Sequence, residues 1–408
     1  MKSGLAPSAP NKYPDRMSEL VEIHGTCDPR FQRVADIFAQ SFASGDDLGA
    51  SVNVTWEGAP VVDLWAGFAD EERTRPWMRD SLVNVFSTTK GMTALCALRL
   101  VEDGLLDLEQ PVARYWPEFA AAGKQELPVR LLMNHQAGLP AIGPLMEPES
   151  LYDWEAMVGA LAAQEPWWVP GTKHGYHAIS FGFLVGELVR RVTGRSVGTY
   201  FREELAGPLG LDFHIGLPES EDHRVVPLVE GPVHESEGPN LMEAIFADPE
   251  GMLAKAFLNP PIDPTAIADR DWRAAEIPAA NGHGTAAALA RIYGILATGG
   301  EADGVHVLSP ETIARARTEE SYGLDAILPL VSRFGVGFAL PPAEEPTGPN
   351  LQAFGHAGMG GSYGQADPEY RMGFGYTMNL MHTGSWLVDP RPRALLGGVY
   401  ESLDAVRG

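Results

Sequence analysis

The sequence predicts an α+β protein. One antiparallel sheet, flanked by helices, is built from both chain ends, and a mostly helical domain is inserted between them. Three observations predict this. Strand-like runs occupy residues 50–56 and 61–68 near the start. Further runs lie at 335–340, 353–356, 361–366 and 372–379 near the end. Between the two groups, apolar residues recur at helical spacing. The expected division is a discontinuous sheet domain, 16–75 with 285–408, around a helical domain with long loops, 76–284. Residues 1–15 are rich in Pro and Ser and read as a flexible N-terminus.

Residues 30–44 show helical periodicity. Residues 50–56 alternate in period two, Glu57-Gly58 turns the chain, and 61–68 return as the second arm of a hairpin. A long apolar run follows Ser87 and stops near Gly104, which suits a left-handed cap. Residues 129–134 lead into a loop at His135-Gln136-Ala137-Gly138-Leu139-Pro140. Helices are expected at 154–163 and 179–192, the second capped by Gly194. Ser196 starts another through Glu204 that ends at Gly207-Pro208. From 217 to about 280 the chain is acidic, proline-rich and irregular in pattern, as loops that shape a pocket or lid often are. Asn281-Gly282-His283-Gly284-Thr285 opens a helix to about Ala297. The last helix covers about 391–405.

Composition narrows the functional classes. The 408 residues carry 54 Asp and Glu against 30 Lys and Arg, a formal charge of −24. An acidic surface argues against nucleic acid or an anionic membrane as partner. No run approaches the ~20 apolar residues of a membrane span. Cysteine is scarce, with Cys27 and Cys96 only. That fits a reducing compartment, and no apolar leader opens the sequence. A cytoplasmic location is expected. Sequence sets no oligomeric state.

The stretch Phe86-Ser87-Thr88-Thr89-Lys90-Gly91-Met92 stands out. Ser87 and Lys90 are three apart, side by side on one face at the start of a helix. The helix is apolar nearly all round, hence buried. Its unpaired N-terminal N–H groups carry roughly half a unit of positive charge. That field favours an alkoxide on Ser87 and disfavours an extra proton on Lys90, and burial acts on Lys90 the same way. An amine beside a hydroxyl is the pairing of an activated nucleophile. A bare Ser-x-x-Lys match is more often a capping serine with a surface lysine. Here Lys90 is one of only six lysines, and it alone follows a serine at this spacing in an apolar segment.

Several stretches, taken in order, resemble a known family. Ser87-Thr88-Thr89-Lys90 is similar to the Ser-x-x-Lys motif of the serine β-lactamase (class C)/penicillin-recognising superfamily, closest to its family VIII carboxylesterases. Leu131-Leu132-Met133-Asn134-His135-Gln136-Ala137-Gly138-Leu139 resembles the loop after its nucleophile helix. Pro170-Gly171-Thr172-Lys173-His174-Gly175-Tyr176 resembles the approach to its Tyr-x-Asn motif. Phe354-Gly355-His356-Ala357-Gly358-Met359-Gly360-Gly361 resembles the strand carrying Lys-Thr-Gly or His-x-Gly. The resemblance spans roughly residues 16–405 and implies the β-lactamase/DD-peptidase-like fold. It implies Ser87 as nucleophile, with Lys90 and Tyr176 beside it as catalytic groups. A nearby cation would ease proton release from Tyr176. Which of Lys90 and Tyr176 takes the Ser87 proton stays open. The backbone N–H groups of Ser87 and Met359 are implied as the oxyanion hole. The edge strand with His356 and Gly358 is implied as a substrate surface, where His356 would meet Tyr176 or the substrate.

Two departures bear on substrate. Ala178 stands at the asparagine position of the second motif and cannot contact a substrate amide. His356 stands where many relatives carry lysine. Both favour ester over lactam. The expected reaction is cleavage of short-chain acyl or aryl carboxylic esters through a covalent acyl-enzyme, without cofactor or metal. Trp167, Trp168 and the 217–280 loops are expected to line an apolar pocket. The alternative is an amide hydrolase of the same superfamily; a non-catalytic scaffold relative comes third. Gly194-Arg195-Ser196-Val197-Gly198 and Gly360-Gly361-Ser362-Tyr363-Gly364 match Gly-x-Ser-x-Gly. Neither has the strand-to-helix setting of a nucleophile elbow. His174 and His177 lack a third ligand at fitting spacing for a catalytic zinc.

Overall fold

A computed structural model describes residues 21–233, 240–383 and 388–407. The tail expected to be flexible, 1–15, lies outside the described residues. Strands β1 (Ile23–Cys27), β2 (Gly49–Trp56), β3 (Ala59–Gly67), β4 (Phe354–Ala357), β5 (Tyr363–Asp367) and β6 (Met372–Met378) form one six-stranded sheet. Its order is β1-β3-β2-β6-β5-β4, antiparallel throughout. The chain ends meet at the β2–β6 seam, where Val52 pairs with Tyr376 and Val54 with Phe374. Glu57 and Gly58 both take positive φ (53° and 81°), as a tight two-residue hairpin turn requires.

The helices used below are α1 (Gln32–Ser44), α2 (Thr89–Glu102), α3 (Trp154–Ala163), α4 (Ser180–Thr193), α5 (Val197–Phe201), α6 (Met252–Leu258), α7 (Ala286–Ala297) and α8 (Pro390–Arg407). Ser196 and Gly194 cap as expected, and Asp153 and Thr285 add caps of their own. Asp153, Ser196 and Thr285 each accept a backbone N–H of the first turn, and Gly194 closes α4 in the left-handed region.

Period-two alternation on β6 explains the layers. Phe374, Tyr376 and Met378 join Val34, Phe38, Leu396 and Val399 in a core under α1 and α8. The glycines between them face α7. A Cβ at Gly373 would lie 2.2 Å from the N of Gly294, and one at Gly375 2.2 Å from the O of Ala286. Only glycine lets α7 approach the sheet this closely. Beyond α7, one continuous core runs into α2, α3 and α4.

Three expectations are corrected. Residues 335–340 do not form a strand; only Ala339 bridges to Gly355 and Phe334. Gly337 has φ +86°, and the N–H groups of Val336 and Gly337 go to Ala316 and Met133. The helix begun by Ser196 does not stop at Gly207-Pro208. It passes through a π turn, Arg202–Ala206, and ends at Leu209 before left-handed Gly210. The 217–280 segment holds short helices, including α6, Leu241–Ala247 and Arg270–Ala274; residues 234–239 are outside the described residues. Among the described residues, no helix is long and apolar enough to cross a membrane.

Candidate active site

From Ser81 to Leu98 every residue is buried except Ser87, which is half-buried. Ser87 sits in the 3-10 turn Phe86–Thr88 that leads into α2. The residue before it, Phe86, has φ 42°, a left-handed strain that non-glycine residues keep only when held. Two segments hold it. On one side, Val85 N–H donates to Gly282 O at 2.9 Å and Gly282 N–H to Thr89 Oγ1 at 2.9 Å. Thr93 Oγ1 donates to Pro278 O at 2.6 Å. On the other side, Ser362 Oγ donates to Val85 O at 2.8 Å and lies 3.1 Å from Thr88 Oγ1. Gly358 closes that clamp: a Cβ there would stand 2.1 Å from Val85 O and 2.2 Å from Ser362 Oγ.

Lys90 Nζ lies 3.0 Å from Ser87 Oγ and donates to Ala279 O at 2.9 Å. Lys90 is fully buried, and burial pushes its pKa well below the lysine value. A free amine can give one N–H to Ala279 and turn its lone pair to Ser87. Tyr176 is buried with its ring 4.9 Å from Lys90 Nζ, and its phenol interacts with the Ser87 side chain. Burial raises the phenol's pKa, against a smaller lowering by Ser87. This corrects the expectation of easier proton release. Desolvation of the phenol dominates, and the neighbouring amine is itself driven toward its neutral form.

His356 is buried on β4, its ring 6.0 Å from that of Tyr176. Burial, then Lys90, holds its pKa down to about 3. Nδ1–H donates to Ala357 O at 2.7 Å, and Nε2 has no protein partner among the described residues. Met359, 40% exposed, tops the turn closed by Gly361 N–H to Gly358 O at 3.2 Å. Trp168 and Ala178 join Tyr176, Ala141, Ile327, Leu328 and Phe334 in one apolar cluster, against which Trp167 and α6 residues Met252 and Phe257 pack. The structure thus brings Ser87, Lys90, Tyr176, His356, Trp168 and Ala178 around one locus. Gly358 lies against the nucleophile turn.

The discounted serines have other partners. Ser196 caps α5 and bonds Glu276; Ser362 braces Val85. His174 and His177 go separate ways: His174 Nε2 to Ser332, His177 Nδ1 to Gly175 O. Sequence reading missed the carbonyl of Ala279 and the carboxylate of Asp325. Ala279 left no side-chain signal. Asp325 lies outside every motif.

The family model Beta-lactamase matches residues 34–397. The chain belongs to the Beta-lactamase family. The esterase/beta-lactamase LipL of Mycobacterium tuberculosis is 40% identical over 371 residues, 88% of this chain and 83% of that protein. The crystal structure of a family VIII carboxylesterase superposes with a TM-score of 0.85 at 44% identity, covering 93% of this chain and all of the other. EstA from Arthrobacter nitroguajacolicus Rue61a superposes at 0.83 with 32% identity, covering 94% of this chain and 99% of its own. In this chain the two motif stretches meet where Gly358 packs against Val85 O and Thr88 Oγ1.

Proposed function

We propose that this member of the Beta-lactamase family is a serine carboxylesterase that cleaves short-chain acyl or aryl esters through a covalent acyl-enzyme. One observation carries the reading: Ser87 Oγ stands 3.0 Å from a fully buried amine, in a stretch where Ser87 alone reaches the surface.

Lys90, driven toward the free amine by burial, accepts the Ser87 proton as Oγ attacks the ester carbonyl. Tyr176, held as phenol, is a proton donor rather than the resting base. The backbone N–H groups of Ser87 and Met359 take the developing oxyanion. Collapse expels the alkoxide, which leaves as alcohol with a proton from Tyr176; Lys90 ammonium restores the phenol. Water then attacks the acyl-enzyme by the reverse path, giving the acid and free Ser87. Apolar Trp168, Ala178, Ile327 and Phe334 suit an unfunctionalised acyl or aryl group. Ala178 offers no amide, which favours ester over lactam.

The test compares p-nitrophenyl butyrate with a chromogenic cephalosporin and labels the protein with a fluorophosphonate. Ester turnover well above cephalosporin turnover, with the label on Ser87, is expected. A folded Ser87→Ala protein that still turns over ester overturns the nucleophile; faster cephalosporin turnover overturns the ester preference.

A further inference from the structure

Asp325 is buried, 6% exposed, and has no ion pair among the described residues. Neutral donors surround it instead. Oδ1 accepts the N–H groups of Tyr176 at 3.0 Å, Ile327 at 2.8 Å and Leu328 at 2.9 Å. Oδ2 accepts Ser332 Oγ–H at 2.7 Å. Because Ser332 spends its proton on Asp325, His174 Nε2, 3.0 Å away, must be the N–H donor to Ser332. A buried charge without a counter-ion is costly to fold around. Four hydrogen bonds hold the carboxylate in one orientation.

What it does is visible in its partners. Tyr176 faces Ser87 and Lys90. Ile327 and Leu328 belong to the apolar cluster around Tyr176. One carboxylate oxygen therefore sets the backbone of the proton donor and the backbone of the substrate wall together. We propose that Asp325 is a positioning residue that fixes the Tyr176 phenol and the Ile327–Leu328 wall in one register, so that turnover and acyl-chain discrimination depend on it jointly. The inference rests on the role given to Tyr176 above. The charge of Asp325 also helps keep the phenol protonated.

The experiment measures kcat and KM on p-nitrophenyl acetate, butyrate and octanoate for five variants. Asp325→Ala removes all four bonds. Misplaced catalytic groups lose up to about 10²-fold, and kcat should fall on every ester while the butyrate-to-octanoate ratio flattens. Asp325→Asn keeps an oxygen for the three amides and should recover both kcat and the ratio. Ser332→Ala cuts only the Oδ2 arm and should stay near wild type. Asp325→Glu keeps the charge but moves it by a methylene, and should lose kcat while folded; it serves if Asp325→Ala does not fold. Wild-type kcat and chain ratio in folded Asp325→Ala or Asp325→Glu overturn the proposal, as does Asp325→Asn as impaired as Asp325→Ala. Tyr176→Phe separates the levels. Wild-type kcat there sinks the role of Tyr176, whereas an impaired Tyr176→Phe beside unimpaired Asp325 variants sinks only the positioning role.

Discussion

Lys90 Nζ donates to the carbonyl of Ala279 at 2.9 Å, which fixes the amine 3.0 Å from Ser87 Oγ. The amine is buried at a cost. Its folded pKa is depressed, so between the folded and unfolded values the unfolded chain binds a proton that the folded chain releases. The stability Lys90 contributes is therefore full only above the unfolded value of 10.5 and is lost as pH falls through the folded pKa. Lys90→Met should remove that penalty. Its melting temperature should exceed wild type at pH 7, and the gap should narrow as pH rises toward 10.5. Activity should fall by about 10²–10⁴-fold, the usual loss of a general base. Thermal unfolding across pH, with ester turnover at pH 7, checks both halves.

The same depression sets the pH profile of Ser87 reactivity. Only the free amine accepts the Ser87 proton, so the fluorophosphonate labelling rate should climb with pH and level off well below 10.5. The site histidines should be silent. His356 is held down to about 3 and His177 to about 4, so both stay neutral from pH 5 upward. His356→Asn removes no charge and should leave the midpoint in place. Labelling rates of both proteins from pH 5 to 10 test this; a shifted midpoint in His356→Asn contradicts it.

Legibility from sequence followed the reach of each signal. Local signals worked where local physics decides. The Ser87–Lys90 pair is an i, i+3 relation on a helix, and the strands of β2, β3 and β6 show period two. Sequence failed where a distant partner decides. The 335–340 run has strand composition, but the N–H groups of Val336 and Gly337 find Ala316 and Met133. The 217–280 segment looked patternless because its helices, such as Leu241–Ala247 and Arg270–Ala274, are too short for periodicity to register. Asp325 is distant in sequence from Tyr176, which it holds. The phenol's proton affinity was misjudged because charge proximity is visible in a motif and desolvation is not.

Ser362 separates a brace from a nucleophile. Ser362→Ala leaves Val85 O without its side-chain donor and removes the contact to Thr88. Val85 O keeps the Thr88 N–H at 3.2 Å, so the loss is that of an ordinary hydrogen bond, about 0.5–1.5 kcal/mol. Melting should drop accordingly, and kcat should fall because the turn carrying Ser87 loosens. Phosphonate should still label Ser87, shown by peptide mapping. A Ser362→Ala protein that cannot be labelled at all would return Ser362 to candidacy as the reacting serine.

Gly358 and Gly159 make a contrasting pair. A methyl group at 358 would meet the backbone oxygen of Val85 at 2.1 Å, and no rotamer relieves a clash with backbone. Gly358→Ala should therefore push β4 and the nucleophile turn apart. Overpacking of this kind costs about 1–3 kcal/mol, and a shift near 1 Å at a reacting group costs up to about 10²-fold in rate. Gly159, in α3, has nothing within 4 Å of its would-be Cβ. Gly159→Ala should stabilise the protein by about 0.4–1 kcal/mol through the unfolded chain and leave kcat unchanged. Melting temperature and ester turnover on the two proteins test the pair. Equal effects from the two substitutions would show that the clamp on Ser87 has more give than the packing of Gly358 against Val85 implies.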